Sequence, residues 1–97
     1  MSQVPVPSDF IPFVGETFTP RGQHRVLTLT SVVTQPPVAW GSAPREPFTL
    51  ILRGPRGDVL PEGLYDVAMT GRPDIALYII PIHTVARDRQ DYQIVFS

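Results

Sequence analysis

Hydrophobic and polar residues alternate with a period of two in several short stretches of this chain. The clearest stretch is RVLTLTSVVT, from Arg25 to Thr34, which places Leu27, Leu29, Ser31 and Val33 on one face. A period of two with many β-branched residues is typical of a β-strand on a pleated surface. The pattern therefore predicts a strand whose leucine face is directed to the core.

The second half of the chain predicts four further strands separated by turn-forming residues. They are Phe48 to Arg53, Gly63 to Met69, Ile75 to Ile82 and Asp91 to Phe96, with turns at 54–58 and 70–74 and a charged loop at 83–90. The stretch IALYIIPI is apolar on both faces, as in a central strand covered on both sides. Because proline cannot donate to a strand ladder, Pro81 is expected at a bulge or near the strand end. Four side chains of this half are predicted in the core: Tyr65, Leu77, Ile79 and Phe96.

The N-terminal part predicts an extended arm followed by a short, bent first strand. Residues 1–8 are rich in proline and polar groups, which favours an extended segment. Its residues Val4, Pro5, Val6 and Pro7 are candidates for contacting a neighbouring subunit, and a disordered tail is the alternative. Gly15 is expected at the bend of the strand, and three aromatic residues should anchor the core: Phe10, Phe13 and Phe18.

Six or seven short strands with no helical period longer than one turn predict an all-β fold. The expected architecture is a small antiparallel β-sandwich, the first choice, or a partly open barrel. Residues 9–97 should form a single domain, since 97 residues suffice for one core. Twelve prolines and seven glycines disfavour long helices.

Composition removes several classes of function. The formal net charge is −1, so no basic field attracts nucleic acid, and the absence of cysteine excludes disulfides and thiolate sites. The N-terminus lacks a positive region followed by an apolar run, and the longest apolar run, Ile75 to Ile82, is far too short for a membrane helix. These features predict a chain made in the cytoplasm without membrane insertion.

The segment QPPVAWGSAPREP, residues 35–47, is the longest irregular stretch and holds the single tryptophan, Trp40. Loops of this length are often functional. Trp40 either folds back as a lid on the core or is exposed as a contact residue.

Arg56, Gly57 and Asp58 spell the integrin-binding tripeptide within a predicted turn. Three residues recur often by chance, so the favoured interpretation is an ordinary turn in which arginine and aspartate are solvated. His24 and His83 have no close ligand partners in the sequence, which favours structural histidines over a metal site.

The sequence contains the residues for a hydrolytic triad and for an anion-binding turn, but neither has the rest of its motif. Ser31 or Ser42 with His83 and Asp91 could form a hydrolytic triad, but no nucleophile elbow accompanies them. The turn at 53–57 has glycines and arginines that could bind an anion. It lacks the Lys-Ser/Thr ending and the following helix of a phosphate-binding loop. The sequence therefore predicts no catalytic residue, no cofactor and no metal.

Short motifs spread over almost the whole chain resemble a known family. They are Gly-Glu-x-Phe, Pro-Phe-x-Leu, Leu-Pro-x-Gly-x-Tyr, a Pro-containing apolar strand and Tyr-x-x-x-Phe, carried here by Gly15, Glu16, Phe18, Pro47, Phe48, Leu50, Leu60, Pro61, Gly63, Tyr65, Pro81, Tyr92 and Phe96. The pattern is similar to that of small, functionally uncharacterised bacterial β domains that lie near genes for phage tail-collar-like proteins.

This resemblance implies a structural part and no catalytic residues. The resulting hypothesis is a non-enzymatic structural or adaptor subunit that assembles with copies of itself or with a larger phage-tail-like or fibre protein, in a virion or an extracellular tail-like particle. The alternative is a small carbohydrate- or peptide-binding β module that uses Trp40.

Overall fold

Within residues 5–34 and 47–96, six antiparallel β-strands close into a barrel. The computed structural model describes residues 5–34 and 47–96, and Trp40 and Val4 lie outside them. The strands are β1 (Thr17–Pro20), β2 (Leu27–Thr34), β3 (Phe48–Gly54), β4 (Gly63–Met69), β5 (Arg72–Pro81) and β6 (Gln90–Phe96). The described residues include no helix long and apolar enough to cross a membrane.

The order of the strands around the barrel is β1-β2-β3-β6-β5-β4, and β4 pairs with β1 to close the ring. The predicted all-β fold and its six strands are confirmed. Of the two architectures expected, a sandwich or a partly open barrel, the strands form a barrel, and it is closed because β1 pairs with β2 on one side and with β4 on the other. The β1–β2 and β5–β6 ladders have only two pairs of Cα partners each, and those of β5–β6 are Ile80–Gln93 and Pro81–Tyr92.

A β-bulge in β2 changes which side chains point inward. Leu29 pairs with Leu52 and Ser31 with Ile51, so Thr30 is an extra residue on β2, and its hydroxyl donates to the Ile51 carbonyl at 3.0 Å. An extra residue reverses the alternation beyond it. Leu27 and Leu29 are buried as predicted, but Val32 packs against the core in place of Val33, which is exposed.

β5 begins earlier than the sequence predicted and is covered on one face only. The predicted turn at 70–74 shrinks to Thr70 and Gly71, and β5 starts at Arg72. Pro73 and Asp74 lie opposite the single residue Ala68, which makes a bulge that tolerates the missing proline donor.

Only one face of β5 is buried: Leu77 and Ile79 are buried, but Tyr78 is 47% exposed. The outward residues of β5 are apolar, as the inward ones are, but they are not buried. The prediction that this strand is covered on both faces is therefore wrong. Pro81 ends the strand, as expected.

The N-terminal segment plugs the barrel end at which β1 begins. Residues Pro7–Asp9 and Ile11–Phe13 form two 3-10 turns, where a bent strand and an extended arm were predicted. Proline suits the first position of a helical turn, and the Asp9 carboxylate accepts from the Val6 amide at 3.1 Å. Pro7 is therefore buried against its own domain, Pro5 is half-buried and Val6 is exposed.

Three phenylalanines fix this plug to the strands. The Phe10 ring lies 5.9 Å from Phe48 and 5.5 Å from Phe96, and the latter two stack with centroids 4.5 Å apart. The Arg72 guanidinium donates to the Asp9 carbonyl at 2.9 Å and lies over the Phe13 ring. Phe10 and Phe18 are fully buried, and Phe13, Tyr65 and Phe96 pack partly buried against the core. The aromatic anchors predicted from the sequence are thus confirmed.

The other end of the barrel is closed by the segment between β3 and β4. Leu60 is fully buried, and its amide donates to the buried Tyr92 hydroxyl at 2.8 Å. Gly54 lies so close to its neighbours that a Cβ there would stand 2.7 Å from a Leu27 methyl and 3.1 Å from the Tyr92 ring. A Cβ at this position would force the buried Leu27 side chain to shift, so the close packing of three strands favours glycine here.

Replacing a core leucine tests the strand phase. Leu77 is 2% exposed, so Leu77→Ala should lower the free energy of unfolding by about 2–5 kcal/mol through lost burial and the cavity left behind. Leu64→Ala is the matched control, because Leu64 is 69% exposed on the neighbouring strand. Urea unfolding should show a large loss for the first variant and a small one for the second, and equal losses would contradict the phase of β5.

Candidate functional site

Part of the outer wall over β2, β3 and β6 consists of six uncharged residues in neighbouring positions. We call this surface the uncharged face, and it consists of Ser31, Val33, Thr49, Ile51, Gln93 and Val95. Inward positions of the same strands, such as Leu50 and Ile94, are buried, so the alternating residues point outward.

The six side chains form two rows across the three strands. In the first row Thr49 of β3 is the Cα partner of both Val33 and Val95. In the second row Ile51 is the partner of both Ser31 and Gln93. Val33 is 46% exposed and Val95 52% exposed, so the first row presents two valines to solvent.

The face has a charged boundary on one side and an apolar continuation on another. Arg53 pairs with Asp91 in the next row, which gives the face a polar edge. Beyond Gln93, the face continues through its partner Ile80 onto β5 and β4. There Leu64 and Tyr78 are cross-strand partners and both are exposed. An exposed apolar area with a polar rim is the usual appearance of an interaction surface.

Tyr78 is held in place by a side chain at the start of β4. Its hydroxyl donates to the Glu62 carboxylate at 2.6 Å, and this hydrogen bond raises the pKa of Tyr78 above its ordinary value. The ring is therefore fixed in orientation, with one apolar surface available to a partner.

Charged side chains concentrate at the barrel end closed by Leu60, which we call the polar end. It is formed by the segments 21–26, 55–62 and 82–89. Asp58 is its hub: the carboxylate accepts from His24 at 2.8 Å and from the Arg25 Nε at 2.9 Å. Arg25 also donates to the Gln23 amide oxygen at 2.7 Å. These contacts tie the β1–β2 segment to the β3–β4 segment.

The pKa of Asp58 is lowered from its ordinary value, mainly by the hydrogen bond from His24 and then by Arg25. Both partners stabilise the charged carboxylate, and burial opposes them. A carboxylate held in the charged form by two donors acts here as a structural tie between segments.

Arg56 ties the third segment of the polar end. Its guanidinium donates to the carbonyls of Thr84 and Ala86 at 3.2 and 2.7 Å. Gly57 between the two charged residues has a φ of +85°, which glycine adopts without strain.

The tripeptide Arg56-Gly57-Asp58 therefore lies in a turn, as predicted, but its side chains are not simply solvated. Arg56 binds the 82–89 segment and Asp58 binds His24 and Arg25. Both charged groups are committed to contacts within the chain, because the turn lies between the two other segments of the polar end. An adhesion motif would need both groups free to meet a receptor.

The other residues that the sequence singled out are dispersed. Ser31 belongs to the uncharged face, whereas His83 lies exposed in the 82–89 segment. The Asp91 carboxylate accepts from the Arg89 Nε at 3.0 Å, and the Asp91 backbone amide donates to the Thr84 hydroxyl at 2.9 Å. Within residues 5–34 and 47–96 no hydrogen bond joins Ser31, His83 and Asp91, and no group of three potential metal-binding side chains occurs. Ser42 lies outside the described residues.

The family of the chain follows from its match over nearly its whole length. Residues 5–96 match the domain of unknown function DUF6916. The chain belongs to the DUF6916 family. No curated protein and no solved structure is detectably similar to it. The resemblance to an uncharacterised family of small domains is thus confirmed at the level of the family.

The uncharged face could not be found by reading the chain in order. Val33 and Val95 lie far apart in sequence and meet only through Thr49, and the bulge at Thr30 turns Val33 outward. The one available signal concerns the apolar continuation of the face onto β5, since the predicted strand Ile75 to Ile82 has more apolar residues than one buried face requires.

The hub aspartate yields a prediction for the pH dependence of stability. Because the pKa of Asp58 is lower in the folded than in the unfolded chain, its contribution is fully present above the unfolded pKa, about 3.9. The contribution is lost as the pH falls through the lower, folded pKa. Asp58→Asn should therefore destabilise the protein at pH 7 and have a much smaller effect at a pH well below 3.9.

Urea unfolding of wild type and variant across this pH range measures the difference. Asp88→Asn is the matched control, since Asp88 is exposed in the 82–89 segment. A penalty for Asp58→Asn that stays constant across the range would contradict an ionic role for the carboxylate.

Proposed function

We propose that this DUF6916 domain is a non-enzymatic structural or adaptor subunit, which assembles with copies of itself or with a larger phage-tail-like or fibre protein. The observation that carries the proposal is the uncharged face, with its apolar continuation over β5 and β4. The motifs shared with domains encoded near phage tail-collar-like genes support the choice of assembly.

The energetics of this wall favour contact with another protein. Burying apolar area is worth about 25 cal/mol per Å². The face exposes Val33 and Val95 without a charged group that would have to be stripped of water. Leu64 is 69% exposed and stands beside an aromatic ring, the side-chain type that is enriched at interfaces.

The charged residues of the polar end support the same proposal, because they bind other segments of the chain. Asp58, Arg25 and Arg56 hold the closing segments of the barrel together. These residues give the module a rigid end, and a rigid module loses little conformational entropy when it binds. An adaptor of this design works by presenting a preformed wall.

Sedimentation in extracts of the source cells tests the proposal. The tagged wild-type chain should migrate with particles well above the 10.8 kDa of the free chain. Val95→Glu should shift it to light fractions, because the new charge would be desolvated at the interface. Val59→Glu is the matched control, since Val59 is 45% exposed at the polar end, outside the uncharged face.

Two outcomes would overturn the proposal. One is a wild-type chain that sediments alone and binds an oligosaccharide or peptide through Trp40. The other is equal behaviour of the Val95→Glu and Val59→Glu variants. Circular dichroism of both purified variants should be native, which separates loss of assembly from loss of fold.

A further inference from the structure

The two rows of the uncharged face have a symmetric composition about β3. Across β2, β3 and β6, the first row reads Val33, Thr49, Val95 and the second reads Ser31, Ile51, Gln93. Valine flanks the first row on both sides, and a polar residue flanks the second row on both sides. Such a pattern matches itself when one copy is turned about the central strand.

From this pattern we infer that the uncharged face binds a second copy of the chain, face to face, about a two-fold axis parallel to β3. The inference rests on the proposed function and names the partner for this face. Sheets that pack face to face keep their strands within about 30° of each other, and an axis along β3 preserves that alignment. A two-fold interface uses the same patch on both subunits.

The axis along β3 brings like groups together. Val33 meets Val95 of the second copy, and Ser31 meets Gln93 of the second copy. Ile51 and Thr49 each meet their own counterpart near the axis. Apolar groups thus cover apolar groups, and the polar side chains can hydrogen-bond to each other.

The other in-plane axis gives a poor match. A two-fold perpendicular to the strands exchanges the rows, so Val33 would meet Ser31 and Val95 would meet Gln93. Each valine would then cover a polar group that has lost water, which is unfavourable. The sequence of the two rows therefore selects one of the two geometries.

The electrostatics of the face agree with a second copy as the occupant, and its size predicts a weak contact. The six residues of the face carry no charge, and the charge nearest the axis, Arg53 one row beyond the face, is the cross-strand partner of Asp91, which offsets the repulsion between the two copies. Three strands about 4.8 Å apart and two rows about 7 Å apart give a contact of a few hundred Å² per copy, which is smaller than a stable specific interface. The isolated dimer is weak, and further contacts within an assembly would strengthen it through raised effective concentration.

Cysteine cross-linking detects a weak dimer directly, because the natural chain has no cysteine. Packed sheets lie about 10 Å apart, too far for a disulfide at the axis, so a short bismaleimide is the appropriate reagent. Thr49→Cys should cross-link to twice 10.8 kDa at least about tenfold faster than Thr19→Cys at equal protein concentration. Thr19 is the matched control because it is an equally half-buried threonine on β1, two strands away around the barrel.

A charge exchange tests the register. Val33→Lys and Val95→Glu should each weaken the dimer by about tenfold or more in sedimentation velocity, because each places an unpaired charge in the contact. The double variant should recover association, since each introduced cation would face the introduced anion of the other copy. Within one chain the two positions are separated by the whole of β3, so the recovery reports on contact between copies.

The outcomes separate this inference from the proposed function. Equal cross-linking at positions 19 and 49, or a double variant as weak as the single variants, overturns the two-fold dimer. If wild type still sediments with large particles in extracts and Val95→Glu does not, the face binds a different protein and the proposed function stands. If neither purified chain nor extract shows association through this face, both are wrong.

Discussion

The closure of the barrel depends on β1, a strand of four residues that pairs on both of its edges. Phe18 is the partner of Leu27 in β2 and of Met69 in β4, and its side chain is fully buried. Without this strand, the sheet would have two open edges, as a sandwich does. With it, every other strand has one inward and one outward face, which gives the molecule a single core and a continuous outer wall.

Local alternation was sufficient to predict most of the strands. β3 and β6 each lie within one residue of their predicted bounds, and alternate residues such as Tyr92 and Ile94 are buried. The all-β class follows from such patterns because each strand must bury one face. The pattern could not predict that the barrel closes, because the pairing of Phe18 with Met69 joins segments that are far apart in the chain. Closure depends on those distant partners, and no local periodicity encodes them.

The errors in the sequence reading have identifiable causes. An extra residue at Thr30 reverses the alternation of β2, and a bulge at Pro73 allows β5 to begin before its apolar run. At the N-terminus, proline and Asp9 favour a capped 3-10 turn over an extended arm. The uncharged face was not predicted for the same reason as the closure of the barrel. Its rows cross three strands, so their residues are far apart in the sequence. The charged tripeptide was visible at once, yet its side chains turned out to hold the polar end together.

The short β5–β6 ladder has a consequence for the behaviour of the protein at high concentration. Among the described strands, β5 pairs only with β4 over most of its length, which leaves backbone donors and acceptors on its other edge. Exposed edges of this kind recruit strands from other molecules and begin aggregation. The bulge at Pro73 and Asp74 lies in the ladder with β4, and a bulge bends and twists its strand, which makes regular pairing along β5 more difficult. A distorted edge of this kind disfavours the addition of strands from other molecules, so ordered contacts are expected on the outer wall of the barrel and not along β5.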